Sequence, residues 1–248
     1  MADILENYFE DGYYQGTSSR IHFKHRSGDG RILVFLHGLG SDVGTWRKLM
    51  AYMPDGLDIY LVDLIGHGGS SMPSSGYTAR VQAAALEEFF RGYGIISPCL
   101  IGHSYGGWVA AIVASSGFPL AGLILIDCAG LKEKFDDVVS SGKLKVIRGM
   151  LLENAIEAKS NNPEAMKIIV ESMDRELLDH PLLSKIHMPV LIVWGSSDPL
   201  LALEYSRYFI EAISGSSIAV VGGAGHSPHY THPAIVANHL LDFLATKL

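Results

Sequence analysis

The most specific structural pattern in the chain lies at residues 100–110, Leu100-Ile101-Gly102-His103-Ser104-Tyr105-Gly106-Gly107-Trp108-Val109-Ala110. An apolar, strand-like run leads into the pattern G-x-S-x-G, and a segment of helical character follows it. A sharp turn between a strand and a helix holds the central serine in a strained conformation, and side chains two residues away would collide with neighbouring backbone. The stretch therefore predicts a strand, a tight turn and a helix, with Ser104 as an exposed nucleophile.

Outside this stretch, short apolar runs alternate with longer segments of helical spacing, which is typical of a mostly parallel sheet covered by helices on both faces. Seven runs have the length and the closing residues of strands: 20–24, 32–36, 57–62, 99–101, 123–126, 190–194 and 218–221. An eighth strand is predicted near residues 8–14. Helical spacing marks residues 45–53, 78–93, 105–115, 203–213 and 233–244. The predicted fold class is α/β, with a mostly parallel eight-stranded sheet.

Residues 131–185 interrupt the alternation. They contain no strand-like run, but stretches 143–159 and 164–178 have amphipathic helical spacing. Long insertions of this kind are usually lids or binding elements, so we interpret the segment as a helical cap on a core formed by residues 1–130 and 186–248. The alternative is an ordinary surface excursion of solvated helices.

Composition excludes several classes of protein. The chain has 248 residues, is 48% hydrophobic and carries a formal charge of −7, which is the opposite of the basic footprint of a nucleic-acid binder. Its apolar runs are much shorter than the roughly 20 residues that span a bilayer. Its acidic, interrupted beginning gives no secretion signal, so we expect a cytoplasmic protein. Cys99 and Cys128 lie in apolar surroundings and are expected to be reduced core thiols.

Ser104 needs a base, because serine is a poor nucleophile at neutral pH. His226 follows the last predicted strand on a glycine-rich loop and is the best candidate among eleven histidines. An imidazole in turn needs a carboxylate to fix its tautomer. Asp198, just after the strand 190–194, is the favoured acid, while Asp127, after the strand 123–126, stays open as its rival.

The same turn predicts part of an oxyanion hole. The N–H of Tyr105 opens the helix after Ser104 and faces any negative charge that develops on a bound carbonyl oxygen. A second donor is expected from the loop His37-Gly38-Leu39-Gly40, after the strand 32–36. The N–H of Leu39 is the preferred one.

Five further side chains are candidates for lining the substrate pocket. His37 and His103 flank the two active-site loops, although such histidines more often bond to backbone than exchange protons with substrate. Met150, Met166 and Met173 would form an adaptable apolar roof that suits an acyl chain or a ring. The alternative is that the methionines only pack the cap helices onto the core.

The G-x-S-x-G turn, the His-Gly loop and the order Ser104, Asp198, His226 together resemble the α/β-hydrolase fold family, over nearly the whole chain. Residues 61–70 (LVDLIGHGGS) also look like the family's loop after the fourth strand, which shapes the core. The resemblance implies hydrolysis of a small carboxylic ester or thioester, and carboxylesterase-like relatives are the branch we favour. Carbon–carbon bond hydrolases, lactonases and perhydrolases use the same triad and stay open.

Cofactor chemistry is not predicted. The loop at Gly38 lacks the third glycine of a dinucleotide fingerprint, and the chain has no Gly-Lys-Ser/Thr phosphate loop. His226, His229 and His232 recur every third residue, but no Cys or carboxylate cluster completes a metal site.

The expected partner is a small ester-like molecule, and the sequence carries no prediction of oligomeric state. A receptor that senses small molecules with a hydrolase pocket is the alternative from another class.

Overall fold

One eight-stranded sheet forms the centre of the protein. A computed structural model describes residues 4–143, 145–146, 148–149, 152–153 and 163–248. The strands are β1 (Glu10–Gln15), β2 (Arg20–Arg26), β3 (Ile32–Leu36), β4 (Asp58–Val62), β5 (Cys99–His103), β6 (Gly122–Ile126), β7 (Val190–Gly195) and β8 (Ser217–Val221). Their order across the sheet is β1-β2-β4-β3-β5-β6-β7-β8. β2 is antiparallel to both β1 and β4, and all other neighbours are parallel.

The predicted α/β class with a mostly parallel eight-stranded sheet is confirmed. Every predicted strand is present, and each boundary lies within two residues of its prediction. These strands were recognisable because β3 to β7 are buried on both faces, so that nearly every residue in them is apolar.

Helices cover both faces of the sheet. The described α-helices are Ile4–Tyr8, Arg47–Met50, Ala79–Tyr93, Tyr105–Ser115, Lys132–Ser140, Pro163–Glu171, His180–Leu183, Ser206–Ala212, Pro228–Thr231 and Pro233–Lys247. On one face Phe89, Val109 and Phe209 join a core cluster with the sheet, and on the other Leu49 and Leu240 do so. Full burial of such a side chain contributes about 1.5–3 kcal/mol. Within the described residues, no helix combines the length and apolar character that crossing a membrane requires.

Two predicted helices are shorter and less regular than expected. The segment predicted at 45–53 is a 3-10 turn, Val43–Trp46, followed by the helix Arg47–Met50, and the segment predicted at 203–213 has the same construction. Asp42 caps the first of these turns by accepting a hydrogen bond from the Gly44 N–H at 2.7 Å. A tight first turn of this kind is common at helix starts, and apolar spacing alone does not reveal it.

The segment 131–185 lies between β6 and β7, which are parallel, so it follows the carboxyl end of β6 and leads to the amino end of β7. Met166 and Ile169 are fully buried in the same core cluster as the helix that follows Ser104. Trp108 Nε1 in that helix donates to the Glu176 carbonyl oxygen at 3.1 Å. The predicted helix 143–159 falls largely on residues outside the described ones, and the predicted helix 164–178 is Pro163–Glu171, which is shorter.

A buried ionic network ties the loop after β4 to the rest of the sheet. Asp63 Oδ1 accepts the Val43 N–H at 2.8 Å, and its Oδ2 accepts the Gly69 N–H at 2.8 Å and His22 Nδ1 at 2.7 Å. The other His22 nitrogen lies 2.9 Å from Asp11 Oδ1. Burial lowers the pKa of His22, but its hydrogen bonds to both carboxylates and their charges outweigh burial and raise the pKa above 6.5.

The network predicts a pH-dependent stability. A raised pKa for His22 means that its contribution is complete below pH 6.5 and is lost as the pH rises through the raised pKa. The pKa of Asp63 is lowered, because its bond to His22 and the charge of His37 outweigh burial, so the contribution of Asp63 is lost only under more acidic conditions. We therefore expect His22→Gln to cost about 1–3 kcal/mol of unfolding free energy near pH 5.5, and clearly less at pH 9.

Urea unfolding at the two pH values measures this difference. His187→Gln, at an exposed position, is the control and should leave stability unchanged at both. An equal cost of His22→Gln at pH 5.5 and pH 9 would contradict a charged His22 in the folded protein.

Candidate active site

Ser104, Asp198 and His226 each follow a different parallel strand, and the carboxyl ends of β5, β7 and β8 bring them together. Ser104 lies in the turn between β5 and the helix Tyr105–Ser115, with φ 51° and ψ −113°. A Cβ atom at Gly102 would lie 2.4 Å from the Gly106 carbonyl oxygen, and one at Gly106 would lie 2.4 Å from the Leu36 carbonyl oxygen. The two glycines therefore permit a turn that other residues would block.

The three side chains form a continuous hydrogen-bonded chain. His226 Nε2 lies 2.9 Å from Ser104 Oγ, and His226 Nδ1 lies 2.7 Å from Asp198 Oδ2. Both distances are within hydrogen-bonding range. With the Nδ1 proton donated to Asp198, Nε2 is free to accept the hydroxyl proton of Ser104.

Asp198 is held by backbone as well as by His226. Its Oδ1 accepts the N–H groups of Leu200 at 2.8 Å and Leu201 at 3.0 Å. Burial raises the pKa of the Asp198 carboxyl. The hydrogen bond from His226, the electrostatic effect of His226 and the two amides outweigh burial and leave the pKa below its usual value. Asp198 is therefore a fixed carboxylate, oriented before any ligand arrives.

Asp127, the rival acid, lies beside this chain but not in it. Its Oδ1 accepts the Gly195 N–H at 2.9 Å, while its Oδ2 is buried with no hydrogen-bonding partner among the described residues. Ligand atoms of Asp127, Asp198 and His226 all lie within 4.8 Å of one another. His226 Nδ1 is hydrogen-bonded to Asp198, so the geometry favours Asp198 as the partner of His226.

The two predicted oxyanion donors border Ser104. The Tyr105 N–H opens the helix after Ser104, and Leu39 lies in the loop after β3. Among the described residues, neither N–H donates a hydrogen bond within the protein. The loop 37–40 lies close to His103 and Ser104 and needs a glycine at position 38. A Cβ atom there would lie 2.8 Å from His103 Nδ1 and 3.4 Å from Ser104 Cβ.

Two buried histidines fix the loop 37–40. His37 Nδ1 lies 2.7 Å from the Gly38 carbonyl oxygen, and His37 Nε2 accepts the Leu64 N–H at 3.1 Å. His67 Nε2 accepts the Gly40 N–H at 3.1 Å. Burial and the neighbouring His37 lower the pKa of His67 to about 3, so its ring is neutral and can accept this bond. The loop is therefore held from both ends by imidazoles rather than by strand pairing.

The rings of His103 and His229 contact each other, tilted by 53°, beside the catalytic histidine candidate. His103 Nε2 lies 2.7 Å from the His226 carbonyl oxygen, and its ring centroid lies 4.3 Å from that of His229. His229 Nε2 lies 3.1 Å from Thr45 Oγ1. Burial lowers the pKa of His229 to about 3 and holds that of His103 well below its usual value. Both rings are neutral, and His103 positions the backbone of the loop that carries His226.

The predicted pocket residues occupy different surroundings. His37 is fully buried and His103 is nearly so, and both bond to backbone. Met166 is fully buried in the core cluster, and Met173 is a partly buried residue packed against that cluster. Met150 lies outside the described residues.

The three histidines of the possible metal pattern point to different partners. His226 bonds to Ser104 and Asp198, His229 to Thr45, and His232 to Thr231 at 2.9 Å. The chain folds into short helical turns here, which separates rings that are evenly spaced in sequence.

Sequence reasoning missed His67 as a support of the loop 37–40. It treated residues 61–70 as core-shaping only, although a histidine between Gly66 and Gly68 was a visible signal. It interpreted His229 as a surface or loop-anchoring residue, because a contact between rings on two different loops leaves no trace in residue spacing.

Comparisons with known proteins find hydrolases that resemble this chain in sequence and in fold. The sequence model of the alpha/beta hydrolase family matches residues 33–239. The 2-hydroxy-6-oxononadienedioate/2-hydroxy-6-oxononatrienedioate hydrolase of Paraburkholderia phymatum is 24% identical, over 92% of this chain and 92% of that protein. The monoacylglycerol lipase ABHD6 of Mus musculus is 24% identical, over 90% of this chain and 78% of that protein. The solved structure of the esterase EaEST from Exiguobacterium antarcticum has a TM-score of 0.80 at 18% identity, covering 96% of this chain and 100% of that one, which is a likeness of fold.

Proposed function

Because the chain belongs to the alpha/beta hydrolase family, we propose that it is a serine hydrolase that cleaves a small carboxylic ester or thioester through an acyl-enzyme. The observation that carries this proposal is the hydrogen-bonded chain from Ser104 Oγ through His226 to Asp198, at 2.9 Å and 2.7 Å. A serine, an imidazole and a carboxylate in this arrangement make a nucleophile at neutral pH.

The reaction has two halves. Ser104 Oγ forms a bond to the carbonyl carbon while His226 Nε2 takes the hydroxyl proton, and the alcohol or thiol leaves with that proton. Water then attacks the acyl group, gives a proton to His226, and the acid leaves as the proton returns to Ser104. Asp198 stabilises the imidazolium in both halves without becoming protonated.

The Leu39 and Tyr105 N–H groups are the proposed oxyanion donors. They are unpaired within the described residues, so they can bond to the oxygen of the tetrahedral intermediate without losing an existing partner. A donor of this kind is typically worth about 3 kcal/mol of barrier. The loop bonds from His37 and His67 support this role, since a donor acts best when it is fixed beforehand.

We propose that residues 131–185 form a cap that selects the substrate. Their position after β6, at the edge of the sheet that carries Ser104, supports this. Of the two described methionines, Met173 is packed against the core but not fully buried and is the better placed to contact an acyl chain, whereas Met166 is enclosed in the core cluster. The predicted cytoplasmic location stays a prediction.

A carbon–carbon bond hydrolase is the second candidate. The Paraburkholderia relative, which is named as a hydrolase of 2-hydroxy-6-oxononadienedioate, matches nearly all of both chains. The same serine, histidine and aspartate would serve that reaction, so the two candidates differ in substrate rather than in site.

A fluorophosphonate probe tests the proposal directly. The folded protein should be labelled at one site, and intact mass followed by peptide mapping should locate the label on Ser104. Turnover of short p-nitrophenyl esters should be lost in proportion to labelling. A protein that takes up no label at Ser104, or one that ligands stabilise against heat without measurable hydrolysis, would instead favour the small-molecule receptor.

A further inference from the structure

The buried carboxyl of Asp127 has no part in the mechanism above, yet it lies against the triad. It is fully buried at the end of β6, where its own φ is +42°. Non-glycine residues rarely adopt this conformation unless the surroundings demand it. The strained backbone and a buried polar atom without a partner, Asp127 Oδ2, both need an explanation.

Two carboxylates this close cannot both be ionised at low cost. Ligand atoms of Asp127, Asp198 and His226 lie within 4.8 Å of one another, and of two carboxyls that share a site one keeps its proton. Among the described residues, Asp198 receives three donors, from His226, Leu200 and Leu201, whereas Asp127 receives one, the Gly195 N–H. The ionised form is therefore better solvated at Asp198, and the proton belongs on Asp127.

We infer that Asp127 is a neutral carboxylic acid whose Oδ2 proton faces the Asp198 carboxylate, so that Asp127 is a positioning residue for the triad. Its other oxygen is fixed by Gly195, the last residue of β7, which leads to Asp198. The inference rests on the proposed function for its catalytic consequence, but the protonation of Asp127 stands on the packing alone.

The charged and titratable groups around Asp127 agree with this assignment. Burial and the negative charge of Asp198 together raise the pKa of Asp127 to about 9, against the Gly195 bond, which lowers it. The adjacent Cys128 is a buried thiol whose pKa burial raises well above its usual value, so it brings no charge to this group of atoms. His226 faces the same group of atoms but directs Nδ1 to Asp198.

Infrared spectroscopy of the whole protein tests the protonation. The difference spectrum between wild type and Asp127→Asn at pH 7 should contain the C=O stretching band of a protonated carboxylic acid, and this band should disappear as the pH rises through about 9. Asp179→Asn, which changes a carboxylate that accepts a backbone N–H elsewhere, is the matched control and should give no such band. Absence of the band in the Asp127→Asn difference spectrum would overturn the inference, whether or not Ser104 is reactive.

Kinetics test the positioning role. Asp127→Ala removes the bond to Gly195 and the carboxylic acid that we infer to face Asp198, and it should lower kcat about 10- to 100-fold with little change in KM. Asp127→Asn can accept from Gly195 and donate to Asp198, so it should recover most of that loss and, unlike wild type, keep its activity above pH 9. Equal losses of kcat in both variants would instead show that Asp127 acts as an ionised acid. A fall in the activity of Asp127→Asn above pH 9 that matches the fall in wild type would also overturn the inference.

Discussion

Ser104→Ala is expected to fold normally and to lose about four or more orders of magnitude in kcat on short p-nitrophenyl esters. The substitution removes the atom that forms the acyl-enzyme, while His226 and Asp198 keep the bond that joins them at 2.7 Å. Residual activity would come only from binding and the oxyanion donors, since members of a triad act as a unit.

The measurement is a steady-state rate with an unfolding curve for the same sample. Ser115→Ala is a matched control, because Ser115 ends the helix that begins after Ser104 and its Oγ donates only to the Ile112 carbonyl oxygen, at 2.9 Å. It should keep full activity. Undiminished turnover by Ser104→Ala would refute the proposed nucleophile.

Asp198→Asn is expected to lower kcat by about 10⁴-fold. An asparagine can still accept the N–H groups of Leu200 and Leu201 through its oxygen, so the loop should keep its shape. Its amide nitrogen would then face His226 Nδ1 and donate to it, which forces the imidazole proton onto Nε2. A ring in that tautomer cannot take the proton of Ser104.

Fluorophosphonate labelling rates and ester turnover both report this change, and KM should move little. Asp179→Asn is the control, since Asp179 also accepts a backbone N–H, from Leu182 at 2.9 Å, in a short helix remote in sequence from the triad. A larger fall in Asp127→Asn than in Asp198→Asn would transfer the acid role to Asp127.

Both predictions depend on a site whose parts are far apart in the chain. Ser104 and His226 are 122 residues apart, and His226 and Asp198 are 28 residues apart. The parallel sheet brings them together because β5, β6, β7 and β8 are neighbours that end at one edge. Four neighbouring strands are thus followed in turn by Ser104, Asp127, Asp198 and His226. Because β6 lies between β5 and β7, the carboxyl of Asp127 necessarily lies close to the triad.

The strands, the turn around Ser104 and the nomination of Asp198 and His226 could all be predicted from the residues alone. These are local signals: β3 to β7 are apolar because both of their faces are buried, and the glycines at 102 and 106 are required by contacts within 3 Å. Asp127 also stayed open as the acid, since Asp127 and Asp198 each follow a buried strand and show the same local sequence pattern.

The partners of the remaining polar groups depend on the folded arrangement and could not be predicted from residue spacing. His226 Nδ1 bonds to Asp198 rather than to Asp127, His67 reaches the Gly40 N–H, and His103 and His229 are buried as neutral rings. The protonation state of a carboxyl or an imidazole depends on burial and on which charges lie within a few ångströms, and neither is encoded in residue spacing. For the same reason, five residues are enough to predict that Ser104 is the nucleophile. The protonation state of Asp127, by contrast, depends on the Asp198 carboxylate, which lies beside it only in the folded protein.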